Sequence, residues 1–298
     1  MILCFDIGGT AIKCAEAFGP TDIRPQSRIA TPSGDFAMFV SVLRQAVLAT
    51  SQPPQRLAFS IAGAIDPETG VAQVANIACL SGRRLQADLQ EALGLPVDLA
   101  NDADCFALAE AALGAGRGHA VVFGIILGTG IGGALVVRGQ VIGAGEWGHG
   151  PIAQRLLGQP EVTLPAFACG CGQHGCLETL GSARGLERLH LHLHQADRSS
   201  EVIVTDWQAG DPAARRTIEI WLDLLSAPLA MLQNLLAAGV IVAGGGLSKT
   251  PALIAALDQA VQSRILHPLP RPLVVPSTGD IEPGLIGAAL LGLSRLGA

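Results

Sequence analysis

The sequence predicts an α/β protein made of two related lobes. Short apolar runs typical of buried strands alternate with segments in which apolar residues recur at helical spacing. An apolar strand, a turn rich in glycine and threonine, and a second apolar strand occur at residues 2–18 and again at residues 120–137. The chain has 298 residues, of which 49% are hydrophobic, so it is long enough for two domains and can form a sizeable core.

Composition and charge argue against several classes of protein. The formal net charge of −6 disfavours nucleic acid or an anionic membrane as the main partner. Met1 leads into an apolar run without a basic segment or cleavage signal, and no apolar run reaches the roughly 18 residues that a membrane span needs. The seven cysteines, an odd number, fit a reducing compartment better than a disulfide framework, so we expect a cytoplasmic protein.

The first lobe opens with a hairpin whose tip can approach an anion. Residues 2–5 are predicted to form a buried strand, residues 6–10 (DIGGT) a turn, and residues 11–18 the returning strand. Glycines at such a tip bring backbone N–H groups and a hydroxyl close to an anion. Asp6 could then hold a hydrated Mg²⁺ through water, and Lys13 could contact a phosphate. A plain hairpin turn is the alternative interpretation of the same residues.

A polar group follows a predicted strand later in this lobe. The other predicted elements are helices at 36–49 and 85–93, strands at 57–61 and 97–100, and a helix that ends near Leu113. Ligands of open α/β sheets collect at the ends of strands. Asp102 is therefore a candidate general base with Asn101 as its hydrogen-bonding neighbour, and Asp104 is expected to be a helix N-cap. Simple helix capping by the whole group is the alternative.

The second lobe repeats this plan. Residues 128–133 (GTGIGG) join two apolar strands, as DIGGT does in the first lobe, which suggests that two cradles hold one polyphosphate. Three glycines at 244–246 follow a later strand and allow close approach to a flat ring such as adenine, although these residues taken alone favour an ordinary turn. The other predicted elements are helices at 179–195, 212–238 with a kink at Pro228, 251–266 and 284–296, and strands at 240–243 and 273–276.

The stretch from residue 145 to residue 178 predicts a metal site. Cys169, Cys171 and Cys176 lie in one short glycine-rich turn, and thiolates that close together suit a tetrahedral Zn²⁺. His149 or His174 could supply the fourth ligand, and His149 is preferred because His174 lies inside the turning loop. Such a closed Cys₃His site would be structural. Three buried free cysteines are the alternative.

Two carboxylates flank the predicted metal loop. Glu146 precedes it within the run that begins at Gly145, and Glu178 follows its last cysteine. A bound ion would fix both carboxylates in one cavity. Paired carboxylates held in this way are suited to accept hydrogen bonds from the hydroxyls of a sugar.

Taken together, these motifs resemble the ROK family of bacterial sugar kinases, within the actin/hexokinase/Hsp70 ATPase superfamily. The resemblance rests on Lys13 and on the runs DIGGT at 6–10, NDA at 101–103, GTGIGG at 128–133, GEWGH at 145–149, CGCGQHGCLE at 169–178 and GGG at 244–246. It implies two ribonuclease H-like lobes with the active site in the cleft between them. The smaller lobe would be residues 1–117 completed by a helix at 284–298, and the larger would be residues 118–283 with the zinc loop at 149–178.

The resemblance also implies roles for individual residues. Asp102 would be the catalytic base, and the sugar would be held by Gly63, Asn76, Asn101, Asp102, Glu146, His149 and Glu178. The phosphates and adenosine of ATP would be bound by Asp6, Gly8, Gly9, Thr10, Lys13, Thr129, Gly130, Gly245 and Gly246. Mg²⁺ and a structural Zn²⁺ on His149, Cys169, Cys171 and Cys176 would be the metal cofactors. Relatives in the family are commonly homodimers, so a homodimer is expected.

Four runs resemble most closely the family members that phosphorylate N-acetyl-D-glucosamine at its 6-hydroxyl. They are SGRRLQADL at 81–89, NDADCFAL at 101–108, CGCGQHGC at 169–176 and WLDLL at 221–225. The chain departs from the family pattern at residues 77–81 and at Trp147, both expected near the sugar. Glucose, N-acetylmannosamine and fructose are alternative substrates.

Two other classes are less consistent with the sequence. A sugar-sensing repressor of the family carries a helix-turn-helix before the first phosphate turn, whereas this sequence begins at the strand leading to Asp6. A chaperone-like or filament-forming ATPase needs no metal-braced sugar pocket.

Overall fold

A computed structural model of the chain describes residues 1–66, 68–74, 76–142, 146–153, 156, 158, 162–278 and 282–296. The chain divides into two compact units. Unit 1 comprises Met1–Ala109 and the described part of Gly279–Ala298, and unit 2 comprises the described part of Glu110–Thr278. Among the described residues, no helix combines the length and the apolar composition needed to cross a membrane.

Strands and helices alternate along most of the chain. The strands are β1 (Ile2–Ile7), β2 (Ala11–Gly19), β3 (Asp22–Ala30), β4 (Arg56–Ile61), β5 (Ala64–Ile65), β6 (Ala72–Gln73), β7 (Val97–Asn101), β8 (Val121–Leu127), β9 (Ile131–Val137), β10 (Gln140–Val141), β11 (Val240–Gly244) and β12 (Val274–Pro276). The helices are α1 (Phe36–Leu48), α2 (Leu85–Leu93), α3 (Asp102–Leu113), α4 (Glu178–Gly181), α5 (Ala183–His194), α6 (Ser200–Gln208), α7 (Pro212–Leu236), α8 (Pro251–Gln262) and α9 (Pro283–Ser294).

Unit 1 is built on a five-stranded sheet in the order β3-β2-β1-β4-β7. Strands β1 and β2 form an antiparallel hairpin, whereas β1, β4 and β7 run parallel. The buried side chains of β1 and β4 pack closely, and the rings of Phe5 and Phe59 stack at 4.8 Å between centroids. Because the parallel register pairs Ile7 with Ile61 and Ile61 with Asn101, these three strands end level at one edge of the sheet.

Helix α9 comes from the far end of the sequence and completes the core of unit 1. Leu285, Ala288 and Ala289 are buried in one cluster with Ile2 and Cys4 of β1. A glycine at position 287 allows this packing, since a Cβ there would overlap the backbone of α3 at Cys105.

We expect Gly287→Ala to lower the free energy of unfolding by about 1–3 kcal/mol, because α9 must move away from α3. This loss exceeds the roughly 0.5–1 kcal/mol that alanine gains over glycine within a helix. Urea unfolding followed by circular dichroism measures the change. Gly34→Ala is the matched control, because a Cβ at Gly34 meets no atom within 4 Å. An unchanged unfolding midpoint for Gly287→Ala would contradict the close packing.

Unit 2 repeats the central part of the unit 1 sheet. Its order is β10-β9-β8-β11-β12, with an antiparallel β8–β9 hairpin and parallel β8, β11 and β12. The 25-residue helix α7 continues through Pro228 and carries Trp221, whose indole is fully buried and donates to the carbonyl of Gly181 at 2.9 Å. The predicted repetition of a strand–turn–strand hairpin is therefore present, and in each sheet a parallel strand pairs with the first strand of the hairpin.

Several predicted elements differ from the structure. The segment predicted as one helix at 179–195 is two helices, because Ser182 is extended and accepts a hydrogen bond from the backbone of Gly185 to start α5. Asp104 was predicted as an N-cap, but α3 begins at Asp102 and Asp104 lies in its first turn. Strand β3 and helix α6 were not predicted.

Candidate active site and metal centre

The first Gly/Thr turn, residues 8–10, follows β1 at the edge of the unit 1 sheet where β1, β4 and β7 end. Gly8 donates its N–H to the carbonyl of Ala11 at 3.0 Å, which closes the turn. Thr31, which the sequence analysis did not single out, braces both sides of it. Its hydroxyl donates to the carbonyl of Gly8 at 2.7 Å and its N–H to the carbonyl of Thr10 at 3.1 Å. The turn is thus rigid before any ligand binds.

Close packing also brings Asn76 and Gly63 to this edge. A Cβ on Gly9 would lie 2.9 Å from the Cβ of Asn76, so only glycine fits beside the asparagine. The Asn101 amide donates to the carbonyl of Gly63 at 2.7 Å. These contacts place four predicted sugar or phosphate residues along one edge of unit 1.

Asp102 lies half-buried at the first position of α3. Its Oδ1 accepts the N–H of Ala103 at 3.0 Å, and the Asn101 side-chain oxygen accepts the same N–H at 2.7 Å. The positive end of the helix dipole stabilises a negative charge at this place. Asp102 therefore follows β7 as a carboxylate held by its helix, with Asn101 fixed beside it.

Lys13 lies between two carboxylates. Its ammonium is 3.6 Å from Oδ2 of Asp6 and forms an ion pair with Glu282, the residue before α9. Burial raises the pKa of Asp6, while the nearby Lys13 opposes that shift. Glu282 was missed by the sequence analysis because 269 positions separate it from Lys13 and no local pattern marks it.

The second Gly/Thr turn, residues 128–130, is held in unit 2 by backbone contacts. Gly128 donates to the carbonyl of Gly130 at 3.1 Å, and its own carbonyl accepts the N–H of Ala183 at 2.8 Å. Gly245 has a φ of +88°, and a Cβ there would lie 2.6 Å from the carbonyl oxygen of Leu127. The glycine-rich segment after β11 therefore packs directly on the second turn.

A cavity of about 450 Å³ opens beside this turn. It is lined by Gly128, Thr129, Ala183, Ser200, Glu201, Val204, Thr205, Gln208, Gly246, Leu247, Lys249 and Thr250. The predicted residues Thr129 and Gly246 thus share one cavity, whose size suits a nucleotide base and ribose. Helix α6 supplies five lining residues that the sequence analysis missed, although the N-cap residue Ser199 and the apolar residues after it are a sequence signal for this helix.

His149, Cys169, Cys171 and Cys176 form one cluster in unit 2. Their ligand atoms all lie within 4.8 Å of one another. Nδ1 of His149 is 3.5 Å from Sγ of Cys169, and the sulfurs of Cys171 and Cys176 are 3.6 Å apart. A tetrahedral Zn²⁺ with ordinary bond lengths separates nitrogen from sulfur by about 3.5 Å and sulfur from sulfur by about 3.8 Å. These side chains therefore fit a structural metal, and His174 is not in the cluster.

The thiols of this cluster differ in their ionisation. Burial raises the pKa of Cys176 to about 12 and also raises that of Cys169, whereas a hydrogen bond from the backbone of Gln173 lowers that of Cys171. Cys169 and Cys176 are therefore neutral thiols near pH 7 when no cation is present. Binding of a divalent ion would release their protons, because coordination deprotonates a thiol outright.

The flanking carboxylates contact the cluster in different ways. Nε2 of His149 points away from the cysteines and lies 3.9 Å from Glu146, so the second ring nitrogen remains available for a ligand. Glu178 places Oε2 3.1 Å from the N–H of Ile131 and Oε1 3.9 Å from Sγ of Cys169. Gly145, which begins the run predicted here, lies outside the described residues.

Trp147 does not present its ring to these polar groups. The indole meets Phe123 edge-on at 5.7 Å between centroids and packs where a side chain at Gly133 would overlap it. Its departure from the family pattern is therefore accommodated by apolar packing within unit 2.

Two five-stranded sheets of the same topology, each with a Gly/Thr turn inside its first hairpin, are consistent with the two-lobed actin-like ATPase fold. A model of the ROK family matches residues 2–295, and the chain belongs to that family. It is an ATP-dependent sugar kinase, which confirms the fold and the enzyme class predicted from the sequence motifs.

Curated relatives and a solved structure agree with this assignment. The N-acetylgalactosamine kinase AgaK of Shewanella sp. (strain ANA-3) is 35% identical to this chain, and the alignment covers 96% of this chain and 95% of AgaK. The N-acetyl-D-glucosamine kinase of Pasteurella multocida is 34% identical, and the alignment covers 98% of this chain and 99% of that kinase. The crystal structure of the ROK hexokinase from Thermus thermophilus is similar with a TM-score of 0.85 and 30% identity over 99% of each chain.

Proposed function

We propose that this enzyme transfers the γ-phosphoryl group of ATP to the 6-hydroxyl of N-acetyl-D-glucosamine. The observation that carries the proposal is the similarity, over nearly the whole chain, to a relative named for that sugar. The fixed carboxylate of Asp102 supplies the group that such a reaction needs beside the sugar alcohol.

Asp102 orients the attacking hydroxyl and accepts its proton late in the reaction. Phosphoryl transfer passes through a loose transition state, so alignment and charge neutralisation matter more than covalent help. Mg²⁺, when bound, neutralises charge on the phosphates. Asp6 would hold it through water, and Lys13 would contact a phosphate in the first turn. Thr129 and Gly130 supply the corresponding contacts in the second turn.

The other sugar hydroxyls are assigned to Asn101, Glu146, His149 and Glu178. His149 would hold Zn²⁺ through Nδ1 and would offer Nε2 to the sugar, since coordination at one ring nitrogen fixes the tautomer at the other. The geometry of the ligand cluster and its Cys₃His composition support zinc as the structural ion.

We also propose a cytoplasmic homodimer. The exposed apolar residues Met231 and Leu235 on α7 support the association of two copies.

One observation favours a second sugar. The relative with 35% identity is named for N-acetylgalactosamine, which differs from N-acetylglucosamine only in the orientation of the 4-hydroxyl. Discrimination between the two therefore depends on how a hydrogen-bonding residue meets that hydroxyl.

A coupled assay of ADP release tests the substrate. We expect kcat/KM to be highest for N-acetylglucosamine and lower by about tenfold or more for N-acetylgalactosamine, because a misplaced hydroxyl leaves a buried hydrogen-bonding group unpaired. N-acetylmannosamine, glucose and fructose complete the series. A higher kcat/KM for any of these four sugars would contradict the proposed substrate, and product analysis by NMR establishes whether the 6-hydroxyl is phosphorylated.

A further inference from the structure

The carboxylate of Glu178 connects the metal loop to the second Gly/Thr turn. Oε2 accepts the N–H of Ile131 at 3.1 Å, and a Cβ on Gly130 would lie only 2.5 Å from the same oxygen. Oε1 faces Sγ of Cys169 at 3.9 Å. One side chain thus touches both a metal ligand and the residues that end the phosphate turn.

The other end of the metal loop contacts the same place. Gly148 directly precedes the ligand His149, and a Cβ on Gly148 would lie 2.5 Å from the carbonyl oxygen of Ile131. On the Cys176 side of the loop, Glu178 accepts the N–H of Ile131, and on the His149 side, Gly148 packs against the carbonyl oxygen of the same residue. Both halves of the ligand set lie against one residue of β9.

This residue adjoins the wall of the nucleotide cavity. Gly128 and Thr129 line the cavity, and Ile131 is the first residue of β9 after their turn. The carbonyl of Gly128 is held on the opposite side by the N–H of Ala183. A change in the position of Ile131 would therefore also move Gly128 and Thr129, because all three residues belong to the same short turn.

We propose that Glu178 is a positioning residue for the second phosphate turn, and that metal occupancy sets the affinity for nucleotide through it. The inference rests on the proposed function, which assigns Glu178 to the sugar and this cavity to ATP. It adds a second task for Glu178 within unit 2 that does not require sugar. Without the ion, the loop loses the coordination that ties its two ends together, and the acceptor for the Ile131 N–H is no longer held in place.

The test measures Mg-ADP binding by isothermal titration calorimetry in the absence of sugar. We expect Glu178→Ala to retain its metal and to bind Mg-ADP about tenfold more weakly, because a charge-assisted acceptor of a backbone N–H is lost. Glu178→Gln keeps an acceptor oxygen and should lie between Glu178→Ala and the wild type. Glu146→Ala is the matched control, since Glu146 is also assigned to the sugar but contacts His149 and not the turn.

Removal of the metal provides the second arm. Chelated protein should bind Mg-ADP more weakly, and added Zn²⁺ should restore the affinity. If circular dichroism shows that chelation unfolds the protein, the ranking of the metal-loaded Glu178 variants decides the question. Unchanged affinity in Glu178→Ala, or tighter binding caused by removal of its negative charge, would overturn the inference.

The outcomes separate this inference from the proposed function. Phosphorylation of N-acetylglucosamine by the wild type, together with equal Mg-ADP affinity in all the variants, would overturn the inference alone. Failure of the metal-loaded wild type to bind Mg-ADP would overturn both. A metal-free wild type that binds Mg-ADP with full affinity would overturn the inference and leave the kinase assignment in place.

Discussion

Asp102→Asn is expected to lower kcat by roughly 10²- to 10⁴-fold, the usual share of a general base. Asparagine keeps the shape of the side chain and its contact with the N–H of Ala103, but it cannot accept the proton of the attacking hydroxyl. The effect should fall on kcat more than on the KM for sugar, because the proton moves only in the transition state.

Steady-state kinetics with saturating ATP measures this split. Asp22→Asn serves as the control, because Asp22 is a carboxylate of unit 1 that pairs with Arg24 on the surface. A variant at Asp102 that binds sugar and retains nearly wild-type kcat would show that another group accepts the proton.

Cys171→Ser is expected to lower the metal affinity by at least about 100-fold, although Cys171 is exposed. An exposed cysteine without a ligand role can be replaced by serine with little effect, usually within about 0.5 kcal/mol. As one of the four proposed ligands, Cys171 would help to anchor both carboxylates at the ends of the loop. The KM for sugar should therefore rise more than the KM for ATP, since His149 and Glu178 are assigned directly to the sugar.

Elemental analysis of the purified protein and kinetics with both substrates measure these changes. Cys79→Ser provides the comparison, because Cys79 is a half-buried cysteine of unit 1, whereas the cluster belongs to unit 2. Full metal content in Cys171→Ser would remove Cys171 from the ligand set. The absence of zinc from active wild-type protein would refute the structural site as a whole.

Local patterns in the sequence were sufficient for the strands that carry the site. The strands predicted at 2–5, 57–61 and 97–100 match β1, β4 and β7 to within two residues, because each is a short, mainly apolar run that polar or glycine residues follow. The cysteine spacing placed three candidate ligands within eight positions, so the side-chain cluster seen in the structure needed only the choice of His149. Features encoded within a few residues of each other were therefore recoverable.

Features that depend on distant contacts were not recoverable. Strand β3 is largely exposed and contains Pro25, so its composition resembles a loop until it pairs with β2 at the edge of the sheet. The ion pair of Lys13 with Glu282 and the contact of Thr31 with Gly8 join residues that no spacing rule connects. The same reason explains why the contact of Glu178 with Ile131 emerged only from the structure.

The position of α9 in unit 1 also bears on how the protein is made. The residues of β1 and β4 are synthesised early. Leu285, Ala288 and Ala289, which bury the apolar surface of these strands, are translated only after unit 2. Ribosomes add about 5–20 residues per second, so this surface waits roughly ten to forty-five seconds for its partner. The amino-terminal unit can therefore be completed only after the unit that follows it has been synthesised.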